Sequence, residues 1–313
     1  MSEMEISDTN KLVIAVTNVV LGLFFLIVSP FLVNASLNKP LHRLVEVYQV
    51  VQPNGAWFSP VRILTITYLI WMTLFIYTGA ALIILAKFVY EGKEWSFPAS
   101  LTAYAIPSIG GMTMVIPWIV LVLNGPVPGT QMDVSPEYGE KGAGMAPAIW
   151  IMILGLVGYY IVLFMMPAKP KSKEGIDWQR VISKLLIFTM IGVLAGFTWM
   201  NAQHGVRFFL ERSNPPYFEP SDSMPEMFLG GYVMYTTVIF YLVTIFLLGM
   251  RKEAGIWLGV GVTLITFAIN MMVFIDRIKY PSGQDWLKGA LMSLTLLILF
   301  LIPWIQDGVL ERN

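Results

Sequence analysis

Residues 233–249 read "VMYTTVIFYLVTIFLLG", a run without a single charged side chain on any face. A half-buried strand would alternate apolar and polar residues, and this run does not. A surface helix of a water-soluble domain would keep one charged face, and none is present. Apolar runs of about twenty residues match a hydrocarbon core roughly 30 Å thick. The reading is therefore a helix that crosses a membrane, because an open strand would leave backbone groups unpaired in lipid.

Working outward, similar runs recur along the chain. Spans fall near 12–36, 61–90, 101–123, 147–167, 181–203, 227–249, 256–275 and 287–305. Of the 313 residues, 56% are hydrophobic and only 13% charged, where soluble domains carry about 25%. The expected fold is all-α: one transmembrane domain, a polytopic integral membrane protein of about eight helices. The acidic opening "MSEMEISDTNK" leads into a long apolar run with no clear cleavage site, which reads as a retained first span.

Eight spans put both ends of the sequence on one side, here called side A. The turns "KPKSKEGIDWQR" (169–180) and "MRKEAG" (250–255) also fall there, and their basic residues are the kind that cytoplasmic turns carry. Side A is expected to face the cytoplasm of a bacterial or archaeal cell. Side B, opposite, holds longer loops rich in Pro and Gly. Its first connection, "KPLHRLVEVYQVV" (39–51), sets Leu41, Leu44, Val45, Tyr48 and Val51 at helical spacing, with His42, Arg43, Glu46 and Gln49 on the other face. This predicts an amphipathic helix lying along the interface, with Pro40 in its first turn.

The absent residue types narrow the chemistry. Without cysteine there are no disulfides, thiolate metal sites or cysteine-held iron–sulfur clusters. A net charge of zero gives no reason to expect nucleic acid as a partner. The two histidines, His42 and His204, lie in separate side-B segments, too far apart in the predicted topology for paired haem ligation. Nucleophile, metalloprotease, P-loop and dinucleotide motifs are missing. The nineteen methionines are irregularly spaced and read as packing. No catalytic, cofactor or metal residue is assigned, and the ligand class compatible with such a chain is a bound lipid or quinone. No acid or base falls in the central turns of any span, while Lys87 and Lys184, near side-A ends, are expected to snorkel to the headgroups.

Two groups of residues remain as candidates. Residues 103–118, "AYAIPSIGGMTMVIPW", place Pro107, Gly110, Gly111 and Pro117 inside one span. A discontinuous helix at a transport site would want a matching break and a charged group elsewhere, so a bent helix packed closely on a neighbour, through Gly192 and Gly196, is expected. The second group is polar. Asn201, His204 and Arg207 leave the fifth span on side B, Asp276 and Arg277 close the seventh with Asn270 a turn or two inside, and His42, Arg43 and Glu46 come from the interfacial helix. They are expected to form one patch that contacts a partner subunit or lipid headgroups.

Together these features suggest a cofactor-free subunit of a larger membrane assembly, of the respiratory or photosynthetic kind, contributing scaffold and docking surface. Its partners would be membrane lipid and other membrane-protein subunits. The alternatives are a transporter or channel for a neutral or apolar solute, and an enzyme acting on lipids at the interface.

Overall fold

A computed structural model describes residues 6–45, 58–126, 134–167, 177–211, 225–279 and 283–312. For 58–60, 204, 207–211 and 225–228 only the backbone is described. Helix makes up 87% of the described residues. The helices in chain order are α1 (Asp8–Arg43), α2 (Phe58–Tyr90), α3 (Ser96–Leu123), α4 (Ile149–Met165), α5 (Trp178–Glu211), α6 (225–249), α7 (Glu253–Asp276), α8 (Gly283–Leu301) and α9 (Pro303–Leu310). Seven of them, all but α4 and α9, are long and apolar enough to cross a membrane.

With 17 residues, α4 is shorter, about 25 Å at 1.5 Å per residue. Its contacts show where it runs. The amide of Ala148, just before it, donates to Ser36 Oγ near one end of α1 (2.7 Å), and Met165 O accepts from Asn10 Nδ2 at the other end (3.4 Å). Between those points Gly111 lies against Met152, Gly155 against Ser108 and Gly158 against Tyr104, so α4 lies antiparallel to α3. It thus reaches from one end of the bundle to the other.

Helix α3 is central and packs on α1, α2, α4, α5 and α6. Phe97, Leu101, Tyr104, Ile109 and Met114 are buried along its length. The outer surfaces are apolar instead: Phe31, Tyr77, Ile84, Ile239 and Ile275 each expose more than half of their area. Such a surface suits lipid chains and would drive aggregation in water. Exposed Trp95, Trp178, Trp257 and Trp304 all sit at side-A helix ends, the belt that indole rings form at headgroup level.

Pro30, Pro40, Pro107 and Pro117 lie within continuous helices. Before Pro30, α1 takes a π-helical turn over Phe24–Val28, and Ser29 Oγ donates to the carbonyl of Phe25; the shifted register absorbs a residue that cannot donate an amide. Pro40 differs from the sequence expectation. It lies inside α1, which continues through Arg43, so no separate helix starts at 39. Tertiary contacts outweigh the local start signal there: Ser36 holds Ala148, and Lys39 pairs with Glu140 at 2.9 Å. The rest of the expected interfacial helix, 46–51, lies outside the described residues.

The side-B loop between α3 and α4 is tied to that extension of α1. Arg43 Nη2 donates to Tyr138 O (2.7 Å), and Lys39 Nζ also lies 5.6 Å over the Trp118 ring. A two-residue antiparallel ladder, Gly125–Pro126 with Val134–Ser135, closes the loop's base.

Candidate functional site

The polar groups expected to form one patch are distributed. Asn201 on α5 and Asn270 on α7 meet directly, Asn201 Nδ2 donating to Asn270 Oδ1 at 2.9 Å with both residues buried. Asn270 Nδ2 in turn donates to Thr266 O (2.8 Å), and Tyr241 OH on α6 donates to Thr266 Oγ1 (3.0 Å). Three helices are joined by one series of neutral hydrogen bonds. Gly289 of α8 covers the pair: a Cβ there would fall on Asn270 Oδ1 and 3.0 Å from Asn201 Nδ2. Asn270 is six residues before the end of α7 and Gly289 six after the start of α8, so this seam lies about 9 Å inside the side-B ends.

Arg43 is given to the Tyr138 loop. His42 is exposed, and Glu46 lies outside the described residues. Asp276 ends α7, and the carbonyl of Arg277 packs against Gly283. The side chains of His204 and Arg207 lie outside the described residues.

The Pro/Gly stretch of α3 is a contact surface. A Cβ on Gly110 would lie 2.5 Å from Trp71 Cε3 and 2.7 Å from Phe75 Cε1; one on Gly111 would lie 2.6 Å from the Met152 amide nitrogen. Pro107 and Pro117 are both inside the helix, with a π-helical turn, Ile119–Leu123, after Pro117. From α5, Gly196 faces Met112 and Ile109, whereas a Cβ on Gly192 would meet nothing within 4 Å. Trp71 and Trp199 meet with rings tilted by 49° at 4.5 Å between centroids, and Tyr235 meets Trp199 edge-on at 4.5 Å, filling the α2–α5–α6 junction.

Sequence reading missed a third site, at side A. Lys184 does not snorkel: its side chain is 4% exposed and its Nζ lies 2.6 Å from Glu311 Oε1. Arg180 Nε is 3.1 Å from the same oxygen, and Arg251 Nε is 3.0 Å from Oε2. A guanidinium nitrogen of Arg251 also donates to Pro167 O, joining the α6–α7 turn to the end of α4. Glu311 is delivered by α9, which lies across the start of α5 with Gly308 against Ser183 and Trp304 O accepting from Gln179 Nε2 at 2.7 Å. One signal was available. Arg180 and Lys184 are like charges at i,i+4, a repulsive spacing that invites a shared acid.

Chemically, the asparagine seam can exchange hydrogen bonds, and Arg180, Lys184 and Arg251, which form a lock around Glu311, can hold an anion. No group of three or more His, Cys, Asp or Glu able to hold a metal occurs among the described residues. No family model, curated protein or solved structure matches the chain.

Proposed function

We propose that this chain is a cofactor-free integral membrane subunit of a larger membrane assembly, contributing scaffold and docking surface. One observation carries the reading. At the helix most like a transport element, Gly110 and Gly111 are closed against Trp71, Phe75 and the backbone of Met152. A solute path along that helix would need space where these atoms sit. Two pairs of polar residues within the bundle bond to each other across helices, Asn201 with Asn270 and Asn18 Nδ2 to Ser100 Oγ at 2.8 Å. Outside, the anchored side-B loop offers a shaped surface to a neighbouring chain.

The test is the particle extracted gently from native membrane. The expected result is co-migration with other subunits and loss of those subunits when this chain is deleted. Redox or light-absorbing groups on the partners would place the assembly in the respiratory or photosynthetic kind. Migration of the chain alone, with solute flux in proteoliposomes, would overturn the proposal in favour of a transporter. Purified free of other chains, it should show no Soret band.

Side A is proposed to face the cytoplasm. Arg180, Lys184, Arg251 and Lys252 lie there, and the orientation rule counts basic residues rather than net charge. Reporter fusions after Lys173 and after Gly283 are expected to give opposite signs, cytoplasmic for the first. Equal signs would break the topology.

A further inference from the structure

The lock around Glu311 has the donor set of an oxyanion site. Two guanidinium groups and an ammonium converge on one carboxylate, reaching both of its oxygens within 2.6–3.1 Å. Clusters of Arg and Lys with this spacing suit a phosphodiester as they suit a carboxylate, because each presents two anionic acceptor oxygens that share one negative charge. The three cations come from two places fixed by the bundle, the start of α5 and the α6–α7 turn, so the pocket does not depend on α9 for its walls. Of the acids nearby, Glu253 is taken up by Arg312 at 2.8 Å and Asp177 Oδ1 accepts from the Arg180 amide.

The occupant comes from a short helix, α9. Helix α9 is two turns long and follows a bend at Ile302, where the chain turns extended after α8. Its buried apolar contacts are Ile305, Val309 and Leu310. Glu311 itself sits in left-handed backbone, φ 53°, as does Arg251 at φ 56°, a region that side chains other than glycine disfavour. The level in the membrane also matters. Exposed Trp178, Trp257 and Trp304 ring this end of the bundle, which sets it at the depth of lipid phosphates.

We propose that Arg180, Lys184 and Arg251 form a binding site for the phosphate of an anionic phospholipid, and that Glu311 is a displaceable stand-in for it. Lipid binding would lift α9 from the start of α5.

The experiment uses the full chain in nanodiscs of phosphatidylcholine, with or without phosphatidylglycerol. Glu311→Ala should retain phosphatidylglycerol about tenfold over phosphatidylcholine by native mass spectrometry, the worth of one charge-assisted hydrogen bond. Adding Lys184→Met to that variant should abolish the preference. In the unaltered protein, phosphatidylglycerol should speed amide exchange across 303–310. Equal retention of both lipids by Glu311→Ala would overturn the site. Should that variant fail to fold, the unaltered protein decides, and identical exchange in the two nanodiscs sinks the proposal. Inorganic phosphate added to phosphatidylcholine nanodiscs separates the sources. If it speeds exchange as much as the lipid does, the site takes free phosphate and the lipid assignment is overturned.

Discussion

At the side-A end of the bundle one buried carboxylate is held by three cations; about 9 Å inside the side-B end, Asn201, Asn270, Thr266 and Tyr241 are joined by neutral hydrogen bonds. Both arrangements tie distant helices together, yet they should fail differently. A buried charge left alone is expensive because no water replaces its partner. A neutral amide left alone loses one modest bond, and in a membrane it can find another acceptor on a neighbouring helix. The position of each arrangement follows from this. The charged lock sits where headgroups and water can receive its ions during assembly, and the neutral seam sits deeper.

The largest expected effect is therefore at Glu311. Replacing it by alanine leaves Arg180, Lys184 and Arg251 facing one another in a site only 4% exposed at the lost carboxylate. Breaking a buried ion pair from one side costs about 3–5 kcal/mol. Thermal unfolding in a neutral detergent should show the loss, and Lys184→Met should cost less because Glu311 keeps Arg180 and Arg251. Should Glu311→Ala unfold at the same temperature as the parent, the lock is ornamental and the contrast between the two ends collapses.

The difference between the ends also explains what could be read from sequence. The long apolar helices were legible because lipid admits few backbone solutions. Asn201 and Asn270 stood out because polar residues are rare in such runs. The lock did not, since Lys184 and Glu311 are 127 residues apart and each looks ordinary alone. Lys184 near a helix end has a standard explanation in snorkelling, which hid its pairing. Pro40 misled in the opposite direction: its local signature is that of a helix start, but contacts from the α3–α4 loop carry α1 past it. The glycines of α3 marked close packing without naming the partner. The atoms they meet belong to α2 and α4, which no spacing within α3 encodes.

A second experiment probes the seam by adding volume. Gly289→Ala places a methyl on Asn270 Oδ1, and α8 must move or the amide pair must part. Overpacking of this kind costs about 1–3 kcal/mol, less than loss of the lock and more than loss of either amide. Thermal unfolding of the variant measures it. If Gly289→Ala is neutral, α8 is free to shift, and the seam does not fix the helices as tightly as the lock does.

The smallest effect is the amide bond itself, and it is the sharpest test of why the two ends differ. Asn201 and Asn270 are both buried and 2.9 Å apart, a geometry that in water-soluble cores would make either deletion conspicuous. In a bilayer the unpaired amide competes for backbone carbonyls and hydroxyls on the same helix. Asn270 already has one such partner in Thr266 O. A double-mutant cycle of Asn201→Ala and Asn270→Ala should therefore return a coupling of only about 0.6 kcal/mol, near the average for interhelical hydrogen bonds in membranes. A coupling several times larger would mean that the pair cannot find substitutes. The neutral seam would then behave like the charged lock, and depth in the membrane, rather than charge, would decide which polar contact the fold depends on.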